Sequence, residues 1–266
     1  MSLTLPGGPL ARRSPDTVNY RVDGPAHRLF QHSFPRRVRA HFGGRTVLDS
    51  VRGALLHETG LPPQLYVPRE DVDDSLLTAT DHRTHCPFKG DARYYSVTAG
   101  DRTAENAFWH YPDPLPEARW LAGLVAPYFD RMDAWFDEDE EIHGHLRDPY
   151  HRVDVRPTSR DVRVVADGVE IAATRHAMLL SETGLPNRYY VPRRDVRVEH
   201  LEPSATHTVC PYKGRASYRS LRVGALSLPD TVFWYPEPLQ DAVRVADHLC
   251  FHGEGVETRV DGEVAG

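Results

Sequence analysis

The sequence predicts a mainly β protein built from two tandem copies of one domain, each with one short helix. Three observations carry this expectation. Slid by 124 positions, so that Cys86 meets Cys210, the chain registers on itself without a gap, with about a third of positions identical. Apolar residues alternate on either side of Gly43-Gly44 and of Asp167-Gly168, the pattern of β-hairpins. Only one segment in each copy shows helical spacing.

The repeated stretches are long. PAHR at 25–28 meets PYHR at 149–152, and LLHETGLPPQLYVPREDV at 55–72 meets LLSETGLPNRYYVPRRDV at 179–196. THCPFKGDARYYSV at 84–97 meets TVCPYKGRASYRSL at 208–221, and YPDPL at 111–115 meets YPEPL at 235–239. The match persists to Asp137 and Asp261, which makes each copy an ordinary domain in size.

Taken in order, residues 1–20 are rich in Pro, Gly and Arg and have no counterpart in the second copy. They are expected to be mobile or draped over a neighbour. Residues 21–138 form the first domain, opening with the hairpin RVRAHFGGRTVLDS. QLYVPR, like RYYVPR later, favours β structure and ends at a proline, which suits an edge strand or a strand end. ARYYSVTAG and ASYRSLRVG read as strands leaving a Lys-Gly corner. After YPDPLP, the residues Leu115, Ala118, Leu121 and Ala122 share one face of a short helix whose first turn accepts proline. YFDRMDAWFD returns as a strand. The acidic DEDEEIHGHLRD lacks apolar periodicity, so 139–148 is expected to be a solvated linker, and 149–266 repeats the domain.

Composition narrows the function. A formal charge of −6 argues against broad nucleic-acid binding, which needs clustered Lys and Arg. No run of roughly eighteen apolar residues offers a membrane span, and the start does not read as a secretory signal. Three cysteines without a close pair suggest reduced thiols in a cytoplasmic protein. The expected partner is a small molecule, with no nucleic acid and no membrane.

The Cys-Pro-aromatic-Lys-Gly pattern, Cys86 with Lys89 and Cys210 with Lys213, allows two readings. An ammonium beside a thiol favours the thiolate and makes a nucleophile. The same letters also make a hairpin corner, with proline extending the cysteine and glycine supplying the turn. The corner is preferred, because no histidine is read at an equivalent place in both copies to act as base. His85 becomes Val209, and His207 stands where the first copy has Arg83. Cys86, Lys89 and Glu58 are the candidate catalytic residues.

A second cluster is Tyr66, Arg69 and Asp71, repeated as Tyr190, Arg193 and Asp195, with Glu58 and Glu182 nearby in sequence. An arginine fork binds carboxylate or phosphate, or it is satisfied by an internal acid. Trp109 and Tyr111, with Trp234 and Tyr235, either wall a pocket or pack the core. Cys210 and Lys213 complete the candidate binding set. No Cys-x-x-Cys, His-Glu-x-x-His or Walker loop occurs, so no metal or cofactor is expected.

The run of PxHR, ETGLPxxYYVPRxDV, TxCPYKGxAxYxS and WxYPxPL resembles the bacterial family known as domain of unknown function 427, here in tandem from about residue 25 to 262. The resemblance implies a fold of the Mss4-like or β-tent type, two antiparallel sheets meeting at one edge. Relatives of that architecture hold zinc on Cys-x-x-Cys knuckles, which this chain lacks. The family also carries a nucleotidyltransferase label. That chemistry needs paired carboxylates for Mg²⁺ beside a Gly-Ser turn. Asp71, Asp73 and Asp74 offer acids, but the second copy reads DVRV there and no Gly-Ser occurs. The expectation is therefore a module that binds a small anionic or planar metabolite in each domain, with an enzyme using Cys/Lys or Glu as the alternative. The copies are expected to pack as a pseudo-twofold pair, with one competent site, in the first copy, where His82, His85, His110 and Asp73 stand.

Overall fold

Alternation becomes strand in the computed structural model, which describes residues 3–13, 17–21 and 23–265. The first copy runs β1 (Leu29–Phe34), β2 (Val38–Phe42), β3 (Arg45–Ser50), β4 (Gly53–Glu58), β5 (Gln64–Pro68), β6 (Leu77–Cys86), β7 (Gly90–Ala99), β8 (Arg102–His110), β9 (Leu124–Pro127), β10 (Ala134–Asp137) and β11 (Glu140–Ile142). They form a seven-stranded sheet, β1-β4-β5-β9-β8-β7-β6, and a four-stranded sheet, β11-β10-β2-β3. The second copy runs β12 (Val153–Pro157), β13 (Val162–Ala166), β14 (Val169–Thr174), β15 (Met178–Glu182), β16 (Arg188–Pro192), β17 (Leu201–Cys210), β18 (Gly214–Val223), β19 (Leu226–Trp234), β20 (His248–Phe251), β21 (Val256–Val260) and β22 (Glu263–Val264). Its sheets are ordered β12-β15-β16-β20-β19-β18-β17 and β14-β13-β21-β22. The two topologies are the same. Cys86 and Cys210 fall at one point in it, each ending a strand opposite Gly90 or Gly214.

The hairpin turns follow from their dipeptides. Gly43-Gly44 (φ 55° and 73°) and Asp167-Gly168 (φ 48° and 73°) both take positive φ at two successive positions, as the twist of a two-residue hairpin requires.

Strand β5 shows how the core is divided. Leu65 and Val67 join an apolar layer with Val38, Leu48, Leu55 and Phe108, drawn from both sheets. Tyr66, between them, faces the other way and packs with Leu56, Tyr94, Tyr111 and Leu121, because successive strand side chains alternate. A 3₁₀ segment, Pro116–Leu121, covers that outer face with its fully buried Ala118 and Leu121. With both faces covered, every residue of β4 is buried.

Several expectations change. The short helix is a 3₁₀ turn kinked at Ala118 (φ −121°). The spacing Leu115, Ala118, Leu121 is three residues each time, which aligns side chains in a 3₁₀ turn as well as it does in an α-helix. Of the two places open to QLYVPR, the structure shows the strand end and not the edge: β5 is interior, between β4 and β9, with Pro68 as its last residue. The acidic stretch expected to be a linker holds β11, paired to β10, and Leu146, buried in the first core. The chain divides into two units after Tyr150. The N-terminal extension is tied to the first unit: Gly60 N donates to Thr4 O (3.1 Å) and Arg28 Nη1 to Ala11 O (3.0 Å). Among the described residues no helix is long and apolar enough to cross a membrane.

The glycine that ends each corner is under a hard constraint. Gly90 and Gly214 both have φ 104°, and a Cβ at Gly214 would stand 3.0 Å from the Glu237 carbonyl oxygen. Gly214→Ala is expected to lose about 2 kcal/mol or more, since strain and contact add. Urea unfolding measures it, and Gly168→Ala, whose Cβ would meet nothing within 4 Å, separates strain from contact.

Candidate functional site

The corner is a three-residue loop. Lys89 N donates to Cys86 O (3.3 Å), and the Lys89 carbonyl accepts from Leu115 N (3.0 Å), which docks the YPDPL loop on it. The second copy repeats both bonds, Lys213 N to Cys210 O (3.3 Å) and Leu239 N to Lys213 O (3.1 Å). This places the lysine side chain over the end of β4 or β15.

There the Lys89 ammonium donates to Glu58 Oε2, and His27 Nε2 meets Glu58 Oε1 at 2.8 Å. Lys213 donates to Glu182 Oε2, and His151 Nε2 meets Glu182 Oε1 at 2.9 Å. A carboxylate only accepts, so Nε2 is the donor in this geometry. The four charged side chains are 7–11% exposed. An aromatic ring from each corner covers its histidine: Phe88 stacks on His27 at 3.7 Å, and Tyr212 lies 4.1 Å from His151. The next residue in ETG completes the join. Thr59 Oγ1 accepts from Arg28 N (2.9 Å) and Thr183 Oγ1 from Arg152 N (2.9 Å).

The expectation that no histidine recurs is corrected here. His27 and His151 occupy equivalent places, and their signal was the PAHR/PYHR match itself. The Cys/Lys pairing is corrected too, because each lysine is engaged by a glutamate rather than by the thiol. Cys86 and Cys210 are half-buried. The third thiol, Cys250, is buried, and burial pushes it up to about 12.

Other candidates converge on the same face. Tyr66, Tyr111, Trp109 and Cys86 share one cluster, and Tyr190, Tyr235 and Cys210 its equivalent. The four tyrosines are at most 6% exposed, so their rings pack the core rather than wall an open pocket. Burial raises all four hydroxyls above the ordinary tyrosine range. Arg69, Asp71, Arg193 and Trp234 lie elsewhere. The Asp71 carboxylate accepts from Ser50 Oγ (2.7 Å) and from Arg52, and Arg69 pairs with Asp74 while lying 5.0 Å over the Tyr95 ring. Asp73 caps Ser75 (2.6 and 3.0 Å). The histidines that favoured the first copy are separate. His82 packs on Tyr94, His85 on Asp91, and His110 on Tyr95.

Arg193 is different. It lies 5.3 Å over the Trp234 ring and has no carboxylate partner among the described residues. With Arg175, His176, Arg194, His248 and Asp247 it lines an open groove of about 970 Å³, walled by Pro157, Met178 and Pro192.

Glu182 sets an acid limit on the second unit. Burial works against its ionisation, but hydrogen bonds from His151 and Lys213, and the Lys213 charge, hold it down to about 2. A depressed carboxyl stabilises the fold above its unfolded value and stops doing so as pH falls towards its folded one. From the ordinary 4.5 to about 2 that is about 3 kcal/mol. Urea unfolding of the wild type and Glu182→Gln should differ most above pH 5 and converge near pH 2. Lys213→Met, which strands a buried carboxylate, should cost about 3–5 kcal/mol at neutral pH, with Glu182→Leu in the same chain recovering most of it.

No curated protein matches the chain. The family model described as domain of unknown function, DUF427, matches residues 31–138 and again 154–266. Both matches begin just after the histidine of each cluster, and they coincide with the two structural repeats. The chain therefore belongs to the DUF427 family, as two copies in tandem.

Proposed function

We propose that the chain binds a small anionic metabolite in the groove of the second repeat, with Arg193 as the principal contact. One observation carries this reading: Asp74, the acid that pairs with Arg69, has no counterpart beside Arg193, and two neighbouring acids are replaced by arginines. Asp74 is replaced by Val198, Asp73 by Arg197 and Glu70 by Arg194, while Val51 becomes Arg175 and Leu124 becomes His248. Arg197 is itself paired with Glu170 (3.4 Å) and Arg175 with Asp161 (3.6 Å). Arg193 is left with the Trp234 face beneath it, which orients the guanidinium as a fork for phosphate or carboxylate. The competent copy in this reading is the second, the reverse of the sequence expectation.

An enzyme reading has the His–Glu pair behind it. A histidine fixed through Nε2 is oriented to use Nδ1 as a base. The cluster is closed by aromatics, however, and its charges satisfy one another, so binding is the reading preferred. The transferase label finds less support. Asp71, Asp73 and Asp74 are each committed to a different donor, and among the described residues no group of three His, Cys, Asp or Glu side chains is arranged to hold a metal ion.

Thermal melts with inorganic phosphate, a phosphate monoester and a dicarboxylate test the proposal. At least one is expected to stabilise saturably, by about 2.7 kcal/mol at a hundredfold excess over Kd. The effect should weaken with salt, vanish in Arg193→Ala and survive in Arg69→Ala. Stabilisation that persists in Arg193→Ala, or none with any probe, overturns it.

A further inference from the structure

The two copies differ at the centre of the outer face. In the first, the Trp109 ring meets Tyr66 edge-on (6.3 Å, 79°). In the second, Phe233 stands at that place in nearly the same pose (5.9 Å, 83°). The Tyr190 hydroxyl is left buried with no hydrogen-bond partner, on a residue that is 0% exposed.

A second unpartnered group adjoins the same phenyl ring. His252, which replaces Tyr128, lies 5.1 Å from Phe233 in an edge-on pose, and its Nε2 is buried without a partner. A third change supplies charge. Arg188 replaces Gln64, whose amide was bound to the Pro127 carbonyl (3.0 Å), and places a guanidinium 6.0 Å over Phe233. Arg188 has no carboxylate partner among the described residues. Burial raises the Tyr190 hydroxyl and lowers His252, and Arg188 is close enough to act on both. Burial thus favours the neutral form of both groups, beside a permanent cation.

A buried donor without an acceptor costs about 1–3 kcal/mol, and two beside one ring are rarely left so. Cys250, where the first copy has Ala126, lies in the sheet between the two rings, paired with Tyr190 on one side and Phe233 on the other.

We propose that the second repeat holds a small monocarboxylate between the Tyr190 hydroxyl, His252 Nε2 and the Arg188 guanidinium, beside Phe233. Each of the three can donate, and a carboxylate has the two oxygens and four lone pairs to accept from all of them. Arg188, at the exposed rim, supplies the charge, and Tyr190 and His252 set the depth, which limits the ligand to formate- or acetate-sized acids. This site stands apart from the Arg193 groove and does not depend on it.

Calorimetric titration of the whole chain with acetate and with formate, in an Arg193→Ala background to silence the groove, tests it. Saturable one-to-one binding is expected. Phe233→Trp, which places the first copy's larger ring beside Tyr190, should abolish it, and Tyr190→Phe should weaken it at least tenfold. Near-UV circular dichroism checks that both variants remain folded, and Tyr190→Phe alone suffices if Phe233→Trp does not pack. No saturable binding in the background chain overturns the proposal and leaves the space to water. Binding that Tyr190→Phe does not weaken overturns it as well.

Discussion

A carboxylate withdrawn from water must be met by donors, and in each repeat Glu58 or Glu182 is met by two groups that arrive from opposite directions. The lysine comes from the corner between the two long strands, and the histidine from the chain just before the first strand. Replacing such a group with apolar residues often costs nothing, whereas removing one partner costs several kcal/mol. The cluster therefore specifies rather than merely stabilises. It allows the corner, the end of β4 and the entry to β1 only one mutual arrangement, and the double-proline loop then docks on the lysine carbonyl. The tyrosine face is packed beneath parts that this carboxylate positions.

With that framework common to both copies, the periphery was free to change. The pairs lost between copies are exposed ones, such as Arg69 with Asp74 and Arg52 with Glu70, and exposed ion pairs contribute about 1 kcal/mol or less. Replacing Asp74 by Val198 and Glu70 by Arg194 costs little stability and alters the local field greatly. The buried cluster shows the opposite economy. Neither copy has altered any of its three members, although about two thirds of aligned positions differ.

The sequence showed the parts governed by local rules. Hairpins at Gly43-Gly44 and Asp167-Gly168 were legible because two successive positive φ values restrict the residues available, and the corner because Pro and Gly restrict theirs. The 3₁₀ turn was not separable from a helix, since Leu115, Ala118 and Leu121 satisfy both. The interior position of β5 was hidden because its proline is terminal, where strand pairing does not need the missing N–H. Glu58 and Lys89 were each singled out but not joined, and His27 was passed over. These three are brought together only by the pairing of β1 with β4 and by the fold-back of the corner, which no window of sequence displays. The unpartnered state of Arg193 was hidden for the opposite reason. Nearby acids such as Asp195 were visible in the sequence, but Asp195 is occupied by Thr174 (2.6 Å).

Ligand sites require polar groups that the protein has not satisfied itself, and that criterion separates the two repeats at equivalent positions. Arg69 has Asp74 while Arg193 has no carboxylate among the described residues, and the Tyr190 hydroxyl is buried without a partner. Each loss has a price only if nothing enters to replace the partner. His57, the first copy's own buried ring without partners, provides the contrast. It is set among Phe30 and Tyr150, and burial lowers it towards the neutral form, so it reads as packing with a polar remainder. In the second copy two neutral donors and a guanidinium surround one phenyl, and an arginine fork opens on a groove. Groups left unsatisfied together in one repeat, while the equivalent Arg69 of the other is paired, are the grounds on which both binding proposals rest.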